Sequence, residues 1–343
     1  MIGTLEHPPV RASRPSARTS RPAAARTARP ASALAVWYQH TPSGQAGRDR
    51  VWDLVEAGRI TSIALTGPAP EDELRWLCDL LSPLHERGDG RDGLVSVPIA
   101  ARSRNACDQV HAARRLTAAV HRPNLLPALP ASDPGLAALT SLLGEGIGVR
   151  IGPLHSVARY RQAVRAHLDG LELARWRGLD LAGLTSVAAF GVGAIDVEID
   201  ALLDRAGSHE AKALRGMAGT ATTRLARGVH ADAHCTDAST RWRALAAAGA
   251  RPQRLVWTQL YHGVPGHQTA RYLDALAAPG ACVELCAPTL ETLDGTPEIR
   301  TLRSTREDQD AQAFTERLIA YLRWFDIHHE SVLSSLDAAH AHH

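Results

Sequence analysis

HRPNLLPALPASDPGLAALTSLLGEGIGVRIGPLHSVARYRQAV, residues 121–164, reads as strand, helix, strand and the start of a second helix. Leu125 to Leu129 and Ile147 to Ile151 are short apolar runs closed by Gly or Pro. Between them Gly135 to Leu143 repeats apolar residues at helical spacing. Together they make one βαβ unit, whose strands must run parallel.

The same alternation extends in both directions. Leu34 to Tyr38, Ile60 to Leu65 and Leu94 to Ile99 read as strands before the unit, and Asp49 to Glu56, Glu71 to Glu86 and Arg104 to Val120 as the helices between them. After it, a helix runs to about Trp176, followed by a strand at Thr185 to Phe190 and a further helix. Helices are predicted at Ser208 to His234 and Thr240 to Ala248, and another begins at Tyr272 to Leu276, with strands at Arg254 to Gln259 and Ala281 to Cys286. Continuously apolar strands covered by helices imply a parallel sheet. Eight of them fit a closed (β/α)8 TIM barrel of the α/β class better than an open doubly wound sheet, since no GxGxxG follows the first strand. Ser304 to Phe325 and Ser331 to Ala339 read as extra C-terminal helices over the barrel.

The chain has 343 residues, 45% apolar, with a formal net charge of +2. One large domain over residues 34–343 is expected, preceded by a disordered tail over 1–33 rich in Arg, Pro, Ala and Ser. Positive charge is almost all arginine and nearly balanced by acid, with no basic helix or aromatic-basic stripe, so no nucleic-acid partner is expected. Cys78, Cys107, Cys235, Cys282 and Cys286 are odd in number and scattered, which suits a reducing cytoplasm. No run is long enough to cross a bilayer, so no membrane partner is expected. His230 and His234 stand one turn apart beside Asp232 and Cys235, but without the glutamate of HExxH and outside the barrel; no metal is assigned there. The histidines His328, His329, His340, His342 and His343 read as an incidental tail.

Asn124-Leu125, Pro130-Ala131, Gly135-Leu136, Glu145-Gly146-Ile147, Val149, Ser156 and Arg159-Tyr160 resemble the transaldolase family in order and spacing. Ser186-Val187-Ala188, Asp196, Glu198-Ile199-Asp200, the run Glu210 to Gly216, and Arg241 to Leu245 extend the resemblance to the actinobacterial type. It implies a transaldolase-like barrel whose chemistry belongs at the C-terminal ends of the strands.

Transaldolases form a Schiff base through a lysine on the fourth strand, and the resemblance places Ala128 there. The only lysine, Lys212, lies in a helical stretch with Glu210 and Arg215 on its polar side, where nothing desolvates it into a nucleophile. By the same matching Gln39 replaces the first-strand aspartate, Leu65 and Thr66 the second-strand threonine and asparagine, and Pro98 the third-strand glutamate. Arg150 and Gly152 replace the fifth-strand pair, while Ala194 and about Gly263 replace the phosphate-binding cations. A dianion without a charge partner is poorly held, so a non-phosphorylated ligand is expected. Gly191 in place of a bulky aromatic, with Gly152 and Ala128, predicts a roomier, more apolar floor.

What the mouth offers instead is Arg150, for a ligand carboxylate or carbonyl or for a barrel acid, and Gln39, which donates and accepts. His155 and Tyr261 with His262 are the imidazole and phenol groups available for acid–base work, and Glu284 is the one carboxylate within reach of the interior. The candidate catalytic set is thus Arg150, His155, Tyr261 and Gln39. The candidate substrate-binding set is Thr66, Ala128, Gly152, Gly191, Gln259, His262 and Glu284, with no cofactor and with a small molecule as partner; a homodimer is allowed.

Three functions compete. The first is a repurposed enzyme of bacterial specialised metabolism making or breaking carbon–carbon bonds without a lysine, for example by a Pictet–Spengler-type amine–aldehyde condensation or another cyclisation. The second is a non-catalytic binding protein on the same fold, and the third, disfavoured by the missing lysine, is transaldolase activity itself.

Overall fold

The computed structural model describes residues 35–100, 105–219, 221–224, 226, 228, 239–260, 282–292 and 308–340. Among these, eight strands pair in parallel and in chain order: β1 (Ala35–His40), β2 (Ser62–Leu65), β3 (Val95–Pro98), β4 (Leu125–Leu129), β5 (Val149–Leu154), β6 (Ser186–Gly191), β7 (Arg254–Thr258) and β8 (Cys282–Leu285). β8 returns to β1 through Val36–Val283 and Trp37–Glu284, so the barrel is closed. Helices Gly44–Glu56, Glu71–Arg87, Ala106–Val120, Asp133–Leu143, Val157–Trp176 and Gly193–Ala206 separate successive strands. This is the expected (β/α)8 barrel. Its extra terminal helices are Asp308–Trp324 and His329–His340, the latter packed on Gly193–Ala206 and β5. The tail 1–33, the helix begun at Tyr272 and the His230–His234 pair lie outside the described residues.

Alternation along each strand sorts side chains into two layers. Ala35, Trp37, Ala64, Leu94, Leu126, Val187, Val256 and Cys282 form a buried cluster inside the barrel. Residues of opposite parity, among them Ile63, Leu65, Val97, Leu129, Ile151 and Phe190, join the helices in the larger outer core. Phe190 stands between Tyr160 and Trp257, edge-on to both at centroid distances of 6.2 and 5.7 Å.

Helix starts follow from capping. Asn105, Ser132 and Ser156 each accept a hydrogen bond from the backbone N–H three residues on, meeting a donor that a helix start would leave open. Pro134 sits in the first turn of its helix, where it lacks only an N–H the helix does not use. The buried Asn124 donates from Nδ2 to Cys78 O at 2.9 Å and Gly93 O at 2.8 Å, tying β4 to the helix and loop before β3.

Several expected boundaries move, three of them for a local reason the structure shows. β5 begins at Val149 rather than Ile147 because the N–H of Ile147 donates back to Leu142 O to end the preceding helix, which Gly146 leaves at φ +79°. The helix expected over Ser208 to His234 is interrupted after His209–Ala213, where Gly216 at φ +70° donates its N–H to Asp200 Oδ1 at 2.9 Å. β7 ends at Thr258 because Gln259 turns out of the strand at φ +59°.

Burial pushes the Asp200 carboxyl up to about 6, with neighbouring Asp196 acting in the same direction against the Gly216 N–H and Arg215. The folded chain therefore holds this proton where the unfolded chain has released it. Its contribution to stability falls as pH rises from about 4 to about 6. In thermal denaturation, Asp200→Asn, which keeps an acceptor for Gly216, is expected to gain on the parent chain across that window and to run parallel to it above.

Candidate functional site at the C-terminal mouth of the barrel

β5 and β8 bring opposite charges into the barrel from across its interior. Arg150 aligns with Ala128 on one side and Val187 on the other, and Glu284 aligns with Trp37. The Arg150 guanidinium donates from Nη2 to Glu284 Oε2, with side chains only 11% and 6% exposed. Thr258 donates to Glu284 Oε1 at 3.1 Å. The Arg150 guanidinium carbon lies 5.5 Å from the ring centroid of fully buried Trp37, a distance at which the ring quadrupole attracts the cation. The indole Nε1 has no hydrogen-bond acceptor among the described residues.

A second group lies where β5, β6 and β7 end. His155 is fully buried, and its Nε2 lies 3.1 Å from Gln259 Oε1. Its backbone N–H donates to Asp337 Oδ1 at 2.8 Å, and the same oxygen is 3.5 Å from ring Nδ1. Asp337 belongs to the terminal helix His329–His340 and is 5% exposed. Glycine admits this group: a Cβ on Gly191 would overlap Gln259 Oε1 and lie 2.7 Å from His155 Nε2. Gly152, at φ +149°, faces β6 so closely that a Cβ would meet Ala189 O at 2.6 Å.

These contacts correct the expected roomier floor. The space freed at Gly191 is filled by His155 and Gln259, and that at Gly152 by the backbone of β6. Arg150 meets a barrel acid, the structural side of its two readings, and that acid is Glu284. Gln39 shares the inward parity of Ala35 and Trp37 and is exposed at the end of β1. Thr66 is exposed just past β2, its hydroxyl 2.8 Å from that of Thr41. Leu65, its expected partner, faces the helices instead, because β2 turns Ala64 inward. Ala128 is half-buried between Pro98 and Arg150 in register. Ala194 lies in the helix after β6 and is half-buried. Tyr261, His262 and Gly263 fall outside the described residues. Lys212 is exposed on the short helix His209–Ala213.

Sequence reasoning missed Trp37, Thr258 and Asp337. Trp37 and Thr258 were readable from strand parity, two residues before Gln39 and opposite Glu284. Asp337 was not, since it meets His155 across 182 residues of chain.

Removing one partner of a buried ion pair strands the other charge, at a cost of about 3–5 kcal/mol. Glu284→Ala is expected to lose that much in urea unfolding, whereas Arg150→Met with Glu284→Leu recovers most of it. Gly191→Ala is expected to cost about 1–3 kcal/mol by overpacking against His155 and Gln259.

A family model described as transaldolase/fructose-6-phosphate aldolase matches residues 71–248. Transaldolase 2 of Streptomyces avermitilis is 36% identical over 281 residues, 80% of this chain and 75% of that protein. Transaldolase 1 of the same organism is 38% identical over 239 residues, 69% of this chain and 62% of that protein. The transaldolase of Thermobifida fusca is 38% identical over 245 residues, 69% of this chain and 66% of that protein. With a closed eight-stranded parallel barrel under this similarity, the chain belongs to the transaldolase/fructose-6-phosphate aldolase family.

Proposed function

We propose that this barrel acts on a non-phosphorylated carbonyl compound without forming a lysine imine, making or breaking a carbon–carbon bond by hydrogen bonding and proton transfer. The observation that carries the reading is the pairing of Ala128 on the inner side of β4 with an exposed Lys212, the only lysine, on an outer helix. An amine nucleophile must be desolvated or set beside another cation to be neutral enough to attack a carbonyl, and a solvated ammonium is neither.

The charge pattern supports the same reading. Arg150 is neutralised by Glu284, so its guanidinium is not on offer to a phosphate dianion. What the described residues offer near the mouth is polar and uncharged, the Gln39 and Gln259 carboxamides, with the Trp37 indole N–H and the Thr258 hydroxyl buried deeper in the barrel. The Gln39 carboxamide, exposed at the end of β1, is a group that can meet a ligand carbonyl or hydroxyl. One balanced version is condensation of a substrate amine with an aldehyde. Water leaves as the iminium forms, a carbon nucleophile of the same substrate closes the ring, and a proton is lost to restore aromaticity. The substrate's own nitrogen then does what a lysine nitrogen would do.

A second reading, a binding protein without catalysis, is favoured by one observation. Arg150 and His155 both spend their polar groups on neighbours inside the protein.

Borohydride trapping separates these readings from lysine chemistry. With fructose 6-phosphate the intact mass of the reduced chain is expected to stay unchanged, and a covalent adduct on Lys212 would overturn both. Incubation with an arylethylamine and an aldehyde, followed by chiral mass analysis, distinguishes the two that remain. Enantioenriched cyclised product is expected for the enzyme, and only the racemic background for the binding protein.

A further inference from the structure

We propose that Asp337, on the terminal helix, is a positioning residue that acts through His155 to set the Gln259 carboxamide at the barrel mouth. The terminal helix would then be part of the site and not only a cover. This deepens the reading of the mouth as a hydrogen-bonding site for a carbonyl or hydroxyl ligand and rests on it. The contact chain itself stands independently of catalysis.

Three contacts in series make the chain. Asp337 Oδ1 accepts from the His155 backbone N–H at 2.8 Å, which fixes the carboxylate against the end of β5. The same oxygen is 3.5 Å from ring Nδ1, so a proton on Nδ1 is attracted and a lone pair there repelled. The ring's far nitrogen, Nε2, is 3.1 Å from Gln259 Oε1; a proton on Nδ1 leaves Nε2 as an acceptor, so the carboxamide must turn over to give the ring an N–H and point its oxygen to the mouth. Asp337 and His155 are 5% and 0% exposed, whereas Gln259 is half-buried, so the chain runs from the core to the mouth and ends on the group a ligand can touch.

Backbone geometry pins both ends. Gln259 leaves β7 at φ +59°, and its carbonyl accepts from the Gly193 N–H at 3.1 Å, so the residue is held while its side chain turns back towards β6. The absence of a side chain at Gly191 makes room for the ring and the carboxamide to meet. At the other end Leu333 and Leu336 are buried beside Asp337, and the helix packs on β5 and on Gly193–Ala206. A carboxylate orienting an imidazole that in turn orients a polar group is a common way of fixing donor and acceptor directions in a site. Here the last group is an amide, which offers a ligand either its N–H pair or its oxygen, and the ring decides which.

The test is long-range 1H–15N correlation on the full chain without ligand, with His155 and Gln259 assigned through His155→Gln and Gln259→Asn. In the parent chain a proton on His155 Nδ1 is expected; a bare Nδ1 would overturn the proposal with no variant needed. Asp337→Asn keeps an acceptor for the His155 N–H and removes the charge. It is expected to shift both ring nitrogens and the Gln259 side-chain amide signals, and Asp337→Glu to restore them in part. If Asp337→Asn lowers the melting temperature but leaves those signals in place, the residue serves packing alone and the proposal fails. None of these readouts depends on turnover, so a barrel that proves non-catalytic would leave this result standing.

Discussion

A guanidinium and a carboxylate placed inside a closed barrel constrain everything around them. Arg150 and Glu284 come from β5 and β8, and each must face inward for the pair to form. A one-residue slip of either strand would turn a charge into the apolar helix layer, at several kcal/mol of desolvation. The pair therefore fixes the register of both strands as firmly as any apolar contact, and it draws in Thr258 on Glu284 and Trp37 beside Arg150. Well-packed hydrophobic residues would fill the same space at least as cheaply. A buried charge pair at this depth is costly for stability alone, and what it adds is a fixed register for β5 and β8.

The same pair shapes what the mouth can recognise. With the Arg150 cation and the Glu284 anion cancelling, the described interior presents directional hydrogen bonds, and such bonds discriminate by geometry. Above it the backbone does comparable work. Gly152 lets β5 press against β6, and Gly191 lets a histidine and a glutamine occupy one cross-section of the barrel. At Gly152 and Gly191 the missing side chains thus leave no added space. The glycines let polar side chains from neighbouring strands converge, a different use of the same space.

Much of the fold was legible because parallel strands buried on both faces leave short apolar runs, and capped helices leave Ser, Asn and Gly at their ends. Leu125–Leu129 was read to the residue. Three of the misplaced boundaries share one cause: at Ile147, Gly216 and Gln259 a backbone N–H or a left-handed residue is used for a turn that local apolarity does not reveal. The site was less legible. Inward parity identified Arg150 and Glu284 as interior residues, but that they face each other depends on how far the strands stagger around the barrel, which no local pattern encodes. The expected space at Gly191 failed for a related reason. A missing side chain predicts a void only if nothing else occupies the space, and here His155 and Gln259 occupy it. Asp337, arriving from a helix after the barrel, had no local signature at all.

The residues that carry the likeness to transaldolases are largely scaffold, and this bears on what family membership implies. Asn124 ties β4 to the loop before β3, Ser156 caps a helix, and Asp196 and Asp200 accept backbone N–H groups from Gly219 and Gly216. Arg159 pairs with Asp133 across the βαβ unit. None of these groups needs a substrate to explain it, because each satisfies a backbone donor, a backbone acceptor or a charge that folding itself would leave open. Selection for folding alone would keep them whatever the mouth came to do. The identity shared with named transaldolases is thus evidence for the barrel, while the reaction has to be argued from Trp37, Ala128, Arg150, His155, Gln259 and Glu284.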